Sequence, residues 1–362
     1  MFVNHPQPSR AHGAAFQAGF SLIELMIAIT LGLLLLSALT AAFINSSRTR
    51  DELERASQQI ENGRYAMQAL SDELRLAGFW AQFNIRAAAP PTPAAMPDPC
   101  VLAASPLNLV ALRDAMPLHI QGYDDGNAAT AAAIAALTCS DGAGALSLID
   151  WKAGTDVVIV RRASTCIKGA ADCALSSAPY FQASLCNNAS ELGSPNWFDQ
   201  FRLDTVDGNL NRTLKNCTTT QPDKRQFIVR IYFVANNDAS GDGIPTLKRA
   251  ELAGGSFPVV SIAPGIENLQ LEYGIDTNAD GAADSMSADP GTVANWSNVV
   301  SVKVNLLARA ASPTLGYTDP KTYTLGMKAD GTTANTVTPG GSYKRRVFQS
   351  EVRLYNPAGR RE

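Results

Sequence analysis

The longest apolar segment of the chain lies near its N-terminus. It runs from Phe20 to Ile44, and its polar or small interruptions are Ser21, Glu24, Thr30, Gly32, Ser37 and Thr40. A helix of this length, at about 1.5 Å per residue, can cross a bilayer. Glu24 is the one charged residue in the segment, and a carboxylate in or near lipid costs roughly 2.5–3.5 kcal/mol. Nothing next to Glu24 in the sequence supplies the partner that such a charge requires.

The apolar pattern continues beyond this segment as one face of a helix. Apolar or small residues recur in alternating steps of three and four at Leu53, Ala56, Ile60, Gly63, Met67, Leu70, Leu74 and Ala77. The opposite face carries Arg50, Asp51, Glu54, Arg55, Glu61, Arg64 and Asp72. Gly78 follows as a C-terminal stop signal. The pattern predicts one helix from about Phe20 to Ala77, apolar all round in its first half and amphipathic in its second.

The pattern changes after this helix. Residues 87–146 are rich in Ala and Pro and predict loops with one short helix near AATAAAIAAL. Segments that alternate apolar and polar residues predict strands at 155–163, 225–235, 268–275, 297–309 and 346–356. The predicted fold class is α+β: a long N-terminal helix packed on an antiparallel β-sheet, with a disulfide-containing, loop-rich insertion at about 87–224.

Composition narrows the classes of function. Charged residues make up 17% of the chain and the net charge is −3, so there is no strong electrostatic case for nucleic-acid binding. The histidines are His5, His12 and His119, and the first two precede the apolar segment. If that leader is removed, His119 remains alone, which argues against a His-rich zinc site and leaves one candidate for Ser–His–Asp chemistry. We expect His119 in a loop or at a strand end, and no enzymatic activity.

The cysteines indicate disulfides formed in an oxidising compartment. All six lie between residues 100 and 217: Cys100, Cys139, Cys166, Cys173, Cys186 and Cys217. Six cysteines allow 15 pairings. Closure of short loops favours Cys166–Cys173, which leaves Cys100–Cys139 and Cys186–Cys217. No C-x-x-C pair is present, so a metal site is the weaker interpretation.

One acidic loop, DTNADGAAD, has the oxygen spacing of a calcium site. Its candidate ligands are the side chains of Asp276, Asn278, Asp280 and Asp284 and the carbonyl of Ala282, with Gly281 at the turn. Ser287 stands where the bidentate glutamate is expected, so another oxygen, such as that of Asp289, would have to substitute. The alternative is a plain hairpin turn, because Asp, Asn and Gly favour turns without any metal.

A second loop repeats the beginning of this pattern. Its candidate calcium ligands are Asp238, Ser240 and Asp242, followed by Gly243. Arg249 occupies the position of the bidentate glutamate, which weakens the calcium hypothesis further. Calcium is the one cofactor that the sequence suggests.

The segment Gly19-Phe20-Ser21-Leu22-Ile23-Glu24, placed before a long apolar run, resembles the N-terminus of type IV pilin precursors. The stretches NGRYAMQALSDELRLAGF, GDGIPTLKR and RRVFQSEVRLYN further resemble PilW-type minor pilins. This similarity is patchy over the whole chain and close at both ends.

The resemblance implies how the N-terminus is processed and used. A prepilin peptidase would cut between Gly19 and Phe20 and N-methylate Phe20, so residues 1–19 would be a leader. A neighbouring subunit's new ammonium would then meet Glu24 in a helix bundle of low dielectric. Removing one partner would strand a buried charge at a cost of roughly 3–5 kcal/mol. Glu24 is thus expected to be an assembly contact.

The expected domain organisation and location follow from the same resemblance. A long helix at 20–78, membrane-spanning at about 20–44, would precede a β-rich periplasmic or extracellular domain at 79–362. The protein would sit in the inner membrane before assembly, and in the pilus or at the cell surface afterwards. Its partners would be the prepilin peptidase, other minor pilins and the major pilin.

The expected function is a structural subunit that primes or supports pilus assembly. The nearest alternative is a minor pseudopilin of type II secretion, which shares the N-terminal pattern. Alternatives from other classes are a membrane-anchored periplasmic enzyme and a tip adhesin. An adhesin would require exposed aromatics such as Trp151, Trp197 and Trp296 on one face.

Overall fold

The computed structural model describes residues 19, 21–85, 90–100, 107–126, 132–134, 137–140, 145–147, 150–171, 173 and 179–361. The chain divides into two compact units, here called the N-terminal unit (Met1–Glu54) and the globular unit (Arg55–Glu362). Helix α1, Leu22–Leu76, begins in the N-terminal unit and ends in the globular unit.

The globular unit contains short helices and antiparallel strands. The helices are α2 (Leu109–Asp114), α3 (Val293–Ser297) and α4 (Tyr355–Gly359), with 3-10 turns at Trp197–Asp199 and Asp207–Asn209. The strands are β1 (Ile120–Tyr123), β2 (Thr138–Ser140), β3 (Ala145–Ser147), β4 (Val157–Ala163), β5 (Tyr180–Ala183), β6 (Phe201–Asp204), β7 (Arg225–Ala235), β8 (Thr246–Glu251), β9 (Val259–Pro264), β10 (Ile266–Ile275), β11 (Ser285–Ser287), β12 (Val299–Arg309), β13 (Tyr323–Met327), β14 (Ala334–Val337) and β15 (Arg345–Arg353).

Two antiparallel sheets form the body of the globular unit. The first has the order β1-β4-β7-β5-β6, with β8 paired to β7 and β9 paired to β8. The second has the order β11-β10-β12-β15. The pairs β13-β14 and β2-β3 each form a separate two-stranded sheet. This arrangement, with the long helix packed on antiparallel sheets, confirms the predicted α+β fold class.

The longer predicted strands appear close to their predicted positions. They are β4, β7, β10, β12 and β15. The sequence analysis did not predict the shorter strands, which are β1, β2, β3, β5, β6, β8, β9, β11, β13 and β14. Residues 355–359 form α4, so the last strand ends earlier than predicted. Of the helix predicted near AATAAAIAAL, residues 132–134 are helical, and most of the rest lies outside the described residues.

Strand β4 separates two hydrophobic cores. Val158 and Val160 point into the core that contains α1 and the second sheet. Val157 and Ile159 point into the other core, which is rich in aromatic rings such as Trp80. All residues of β4 are buried, and the near-continuous apolar run VVIV has the composition expected of a strand with both faces covered.

The second half of α1 packs on the sheets of the globular unit. Ala66, Leu70, Leu74 and Ala77 are buried in the core with β10 and β12. Leu53 is 67% exposed, so the prediction that the packing face starts there is wrong. The packing face lies further along the helix, where side chains meet the sheets. Among the predicted positions it retains Gly63, Met67, Leu70, Leu74 and Ala77.

Gly63 and Gly78 explain how closely α1 approaches its neighbours and where it ends. A Cβ at Gly63 would lie 2.2 Å from the ring of Phe348, so β15 packs directly on the helix backbone. Gly78 has φ +69°, a left-handed conformation that favours glycine and ends helices. Its N–H donates to Arg161 O at 3.0 Å, which ties the helix end to β4.

A buried ion cluster fixes the helix to the first sheet. Glu73 of α1 is buried and accepts from Arg162 of β4, with Nε 2.6 Å from Oε1. Arg230 of β7 donates to the other oxygen of Glu73 and pairs with Glu251 at 2.9 Å. Burial acts to raise the pKa of Glu73, but hydrogen bonds and charge from Arg162 and Arg230 outweigh it and lower that pKa. The carboxylate is therefore ionised at neutral pH.

Three disulfides tie loop-rich segments to the globular unit. The pairs are Cys100–Cys139, Cys166–Cys173 and Cys186–Cys217, with sequence separations of 39, 7 and 31. They are the pairs expected from the sequence, in which loop closure favoured Cys166–Cys173 alone. Cys100 and Cys139 lie in the aromatic core, so their bond joins the segment that ends at Cys100 and strand β2 to that core.

We predict that Glu73→Gln destabilises the globular unit by roughly 3–5 kcal/mol, because Arg162 then loses its buried counter-charge and Arg230 loses one of its two carboxylate partners. The measurement is urea unfolding of the detergent-solubilised full chain, followed by tryptophan fluorescence. Asp72→Asn is the matched control, because Asp72 and its partner Arg75 are 57% and 52% exposed. That change should cost at most about 1 kcal/mol. Equal stability of the two variants would contradict the anchoring role of Glu73.

Candidate functional site

Ser21 and Glu24 cap the N-terminal end of helix α1. The N–H of Ser21 donates to Glu24 Oε2 at 2.9 Å, and the N–H of Glu24 donates to Ser21 Oγ at 3.2 Å. This reciprocal pair is a capping box, which satisfies N–H groups that the first turn leaves unpaired. The sequence suggested that no neighbour of Glu24 could pair with it. That expectation is wrong, because Ser21 forms hydrogen bonds with Glu24.

The capping box uses one oxygen of Glu24. Among the described residues, Glu24 Oε1 accepts no hydrogen bond. Gly19 is exposed and precedes the helix, whereas Phe20 lies outside the described residues. The carboxylate thus keeps a free oxygen for a donor from another molecule.

The first half of α1 presents an apolar surface. Leu22, Leu36 and Phe43 are among its many exposed apolar side chains, and the helix is long and apolar enough to cross a membrane. Its hydroxyl groups bond within the helix. Thr30 Oγ1 donates to Met26 O at 3.0 Å, and Thr40 Oγ1 donates to Leu36 O at 2.8 Å. Because these hydroxyls are satisfied locally, they are compatible with lipid or with a neighbouring helix.

The first acidic loop is organised by its own hydrogen bonds. Asp276 is buried, accepts from the N–H groups of Ala279 and Gly281 at 2.6 and 3.0 Å, and pairs with Arg361 at 3.0 Å. Burial acts to raise the pKa of Asp276, but the N–H of Gly281 and the guanidinium of Arg361 hold it below its usual range. An arginine thus already occupies the carboxylate that would be the first calcium ligand.

The side chains of Asp280 and Asp284 in that loop accept hydrogen bonds from the side-chain amide of Asn278. Asn278 Nδ2 donates to Asp280 Oδ2 and to Asp284 Oδ1, each at 3.1 Å. A donor N–H therefore lies where calcium would need oxygen atoms alone. Among the described residues no group of three or more His, Cys, Asp or Glu side chains is arranged to hold a metal ion. This arrangement does not fit calcium, and calcium binding stays a prediction from the sequence.

The second acidic loop is likewise organised as a turn. Asp242 accepts from the N–H groups of Asp238, Ala239 and Ile244 at 3.1, 2.8 and 2.8 Å. Ser240 is exposed on the same loop. The Asp242 carboxylate is thus committed to backbone donors, as in the Asx turns that such sequences favour.

The residues considered for catalysis and adhesion lie mainly in the core. Trp197 and Trp296 are 4% and 2% exposed, and half-buried Trp151 donates its Nε1–H to Thr155 O at 3.0 Å. His119 is buried before β1, and its Nε2 donates to Val299 O at 2.8 Å. A histidine held by a backbone carbonyl in this way has a structural role.

Sequence reasoning missed two groups that the structure makes important. Glu73 stands among charged residues of α1, and nothing local distinguishes it from exposed Asp72. Ser21 did carry a signal, because serine followed three residues later by glutamate is the pattern of a capping box.

Two family models match parts of the chain. The model described as type IV pilus-assembly protein W, PilW, matches residues 231–356, about a third of the 362 residues. The prokaryotic N-terminal methylation motif matches residues 15–40, which include Gly19 to Glu24 and most of the apolar run. Over these two regions the chain resembles type IV pilus proteins of the PilW type. The resemblance inferred from its sequence is thereby confirmed.

The PilW-like region corresponds to a defined part of the fold. It begins within β7, ends within α4 and includes the whole second sheet. Neither a curated protein nor a solved structure gives a significant match to the chain. The apolar helix and the methylation motif are compatible with membrane anchoring and pilus association.

We predict that His119 makes the stability of this PilW-like protein depend on pH. Burial lowers its pKa from 6.5 to about 4, and the charges of nearby Arg361 and Arg161 act in the same direction. The unfolded chain therefore binds the proton more readily, and stability should fall by up to about 3 kcal/mol as pH drops from 6.5 to 4.

The measurement compares the unfolding free energy of wild type and His119→Gln between pH 7.5 and pH 4. Glutamine keeps a donor but does not titrate, so the difference between the two proteins should shrink as the pH falls. Parallel curves would contradict the assignment to His119, because all other titrating groups are common to both proteins.

Proposed function

We propose that this protein is a minor pilin, a non-enzymatic subunit that primes or supports type IV pilus assembly. The observation that carries the proposal is the exposed apolar half of α1 beginning at the Ser21–Glu24 pair, within the matched methylation motif. The PilW match favours the pilus over a type II secretion apparatus.

The proposed mechanism is helix packing. A prepilin peptidase removes residues 1–19 and N-methylates Phe20, which creates an ammonium group at the start of the mature chain. Before assembly, the helix spans the inner membrane and the globular unit lies in the periplasm. It then moves into a bundle of helices, where the ammonium of a neighbouring pilin contacts Glu24. In the low dielectric of the bundle this contact is far stronger than in water.

The proposed partners are other minor pilins and the major pilin. The exposed edges of the sheets, such as that of β15, offer backbone groups that can set partner choice. A minor pilin complex at the pilus tip would require contacts of both kinds, between helices and between globular units.

We predict that the mature protein begins at N-methylated Phe20. The measurement is the intact mass and N-terminal sequence of the membrane-extracted protein, from cells with and without a functional prepilin peptidase. The peptidase-deficient cells are the control and should retain the leader. A chain that starts at Met1 in both strains, or one cut near Ala41, would overturn the pilin proposal.

We predict that Glu24→Gln abolishes assembly although it preserves the helix start. Glutamine can accept the Ser21 N–H in a capping box, but it has no charge for a partner ammonium. Pilus number should fall at least about tenfold, because a stranded buried charge costs roughly 3–5 kcal/mol. Immunoelectron microscopy and co-purification with pilins are the measurements.

Two variants separate the charge from the cap. Ser21→Ala removes the capping hydroxyl at a cost of about 1 kcal/mol and should reduce assembly much less than Glu24→Gln. Glu61→Gln, at an exposed glutamate of the same helix, should have no effect. Normal assembly of Glu24→Gln together with loss in Ser21→Ala would show that Glu24 acts through the cap. Co-purification with secretion components instead of pilins would favour a pseudopilin.

A further inference from the structure

A cavity of about 250 Å³ lies in the globular unit where five segments meet. They are residues 78–85, which follow α1, and residues 90–93, 116–119, 297–298 and 356–361. None of these segments belongs to the N-terminal helix start or to the acidic loops. The cavity therefore needs an explanation of its own, independent of the proposed pilin function.

The walls of the cavity are mostly apolar. They include the Trp80 ring, Met116, Pro93, Pro117 and Pro357. The volume exceeds the roughly 150 Å³ of a cavity that admits benzene, and it lies below the roughly 300–1,000 Å³ typical of drug-sized ligands. A ligand with one ring or one branched chain therefore fits this space.

Two residues that line the cavity, Trp80 and Arg360, carry buried donors without a partner among the described residues. Trp80 is fully buried, and its Nε1–H has no hydrogen-bond partner among the described residues. Arg360 Nη1 is also buried without a partner in the described part of the chain. A buried donor left unpaired costs about 1–3 kcal/mol, so both atoms favour a ligand that brings acceptors.

The neighbouring arginine has its acceptors within the protein. Arg361 donates to Asp276 at 3.0 Å, to Asn298 Oδ1 at 2.6 Å and to Ser297 O at 3.0 Å. Arg360 has no such carboxylate: among the described residues no Asp or Glu forms an ion pair with it. Burial alone lowers its pKa, and a guanidinium still remains charged at neutral pH. His119 in the wall is neutral at that pH, so Arg360 gives the cavity a net positive charge.

We propose that this cavity binds a small monocarboxylate with an apolar body. The carboxylate accepts from Arg360 and from the Trp80 indole N–H, and the apolar body packs on Trp80, Met116 and the prolines. A carboxylate suits this site because it matches the planar donor geometry of a guanidinium and supplies the missing negative charge. Such a group occurs both in free organic acids and at the C-terminal residue of a peptide.

The test measures binding of benzoate and of N-acetylphenylalanine to the ¹⁵N-labelled full chain in detergent. The readout is the indole Nε1–H resonance of Trp80, assigned from its loss in Trp80→Phe. Benzyl alcohol is the neutral control ligand of similar shape. We expect saturable shifts with a carboxylate, at ligand concentrations in the millimolar range or below, and at least about tenfold weaker binding of benzyl alcohol.

Variants test whether Arg360 supplies the positive charge that binds the carboxylate. Arg360→Gln should weaken carboxylate binding at least about tenfold, because charged hydrogen bonds are roughly twice as strong as neutral ones. Arg346→Gln, at an exposed arginine of β15 outside the cavity, is the matched control and should bind as wild type. Trp80→Phe keeps an aromatic wall but loses the donor and should bind more weakly by calorimetry.

The two ligands distinguish the sources of the carboxylate. Binding of benzoate alone assigns a free small acid, whereas binding of N-acetylphenylalanine alone assigns the end of a peptide chain, and both results support the site. The proposal is overturned if neither acid shifts the Trp80 resonance, if benzyl alcohol binds equally well, or if Arg360→Gln leaves affinity unchanged. The ligand comparison needs no variant, so a folding defect in Arg360→Gln does not prevent the test.

Discussion

The buried cluster of Glu73, Arg162 and Arg230 is the interaction on which the globular unit most depends. It joins α1 to two adjacent strands of the first sheet, and its members are nearly inaccessible to water. Such a cluster is costly to form and costlier to break, because loss of Glu73 would leave Arg162 without a counter-charge in a low dielectric. It therefore sets the position of the helix on the sheet more specifically than the apolar contacts around it. Gly63 against Phe348 then fixes the approach to β15.

The same helix serves two surroundings because its two halves differ in composition. In the N-terminal unit, apolar side chains are exposed and the hydroxyl groups are satisfied within the helix, which suits lipid or neighbouring helices. In the globular unit, polar side chains of α1 bond to the sheets instead. Gln59 Nε2, for example, donates to Ala308 O at 2.7 Å. The change of partners along one continuous helix is the physical basis of the proposed role in pilus assembly.

Glu24 illustrates how a local and an intermolecular role can coexist in one carboxylate. One oxygen caps the helix through Ser21, and the other accepts nothing from the described residues. The cap keeps the carboxylate at the helix start in a defined orientation, so the free oxygen is presented to an incoming donor without further loss of side-chain entropy. The cavity beside Trp80 presents the opposite charge, because Arg361 pairs with Asp276 whereas Arg360 forms no ion pair among the described residues.

The sequence by itself determined those features that depend on local periodicity, local chemistry and short loops. Alternating steps of three and four predicted the long helix. Gly78 predicted its end, alternation predicted the long strands, and loop closure favoured the Cys166–Cys173 disulfide. The Ser21–Glu24 capping box could also have been predicted from the sequence, because both residues lie in the first turn of the helix.

Only the tertiary structure decided which polar residues are buried and what they contact. Glu73 and Asp72 are adjacent and chemically alike, yet one lies in an ion cluster and the other in solvent. Asp276 has the spacing of a calcium ligand, but Arg361, 85 positions away, pairs with it. The cavity is assembled from segments that are distant along the chain. Burial and charge pairing depend on contacts between remote segments, and no local pattern records which segments will meet.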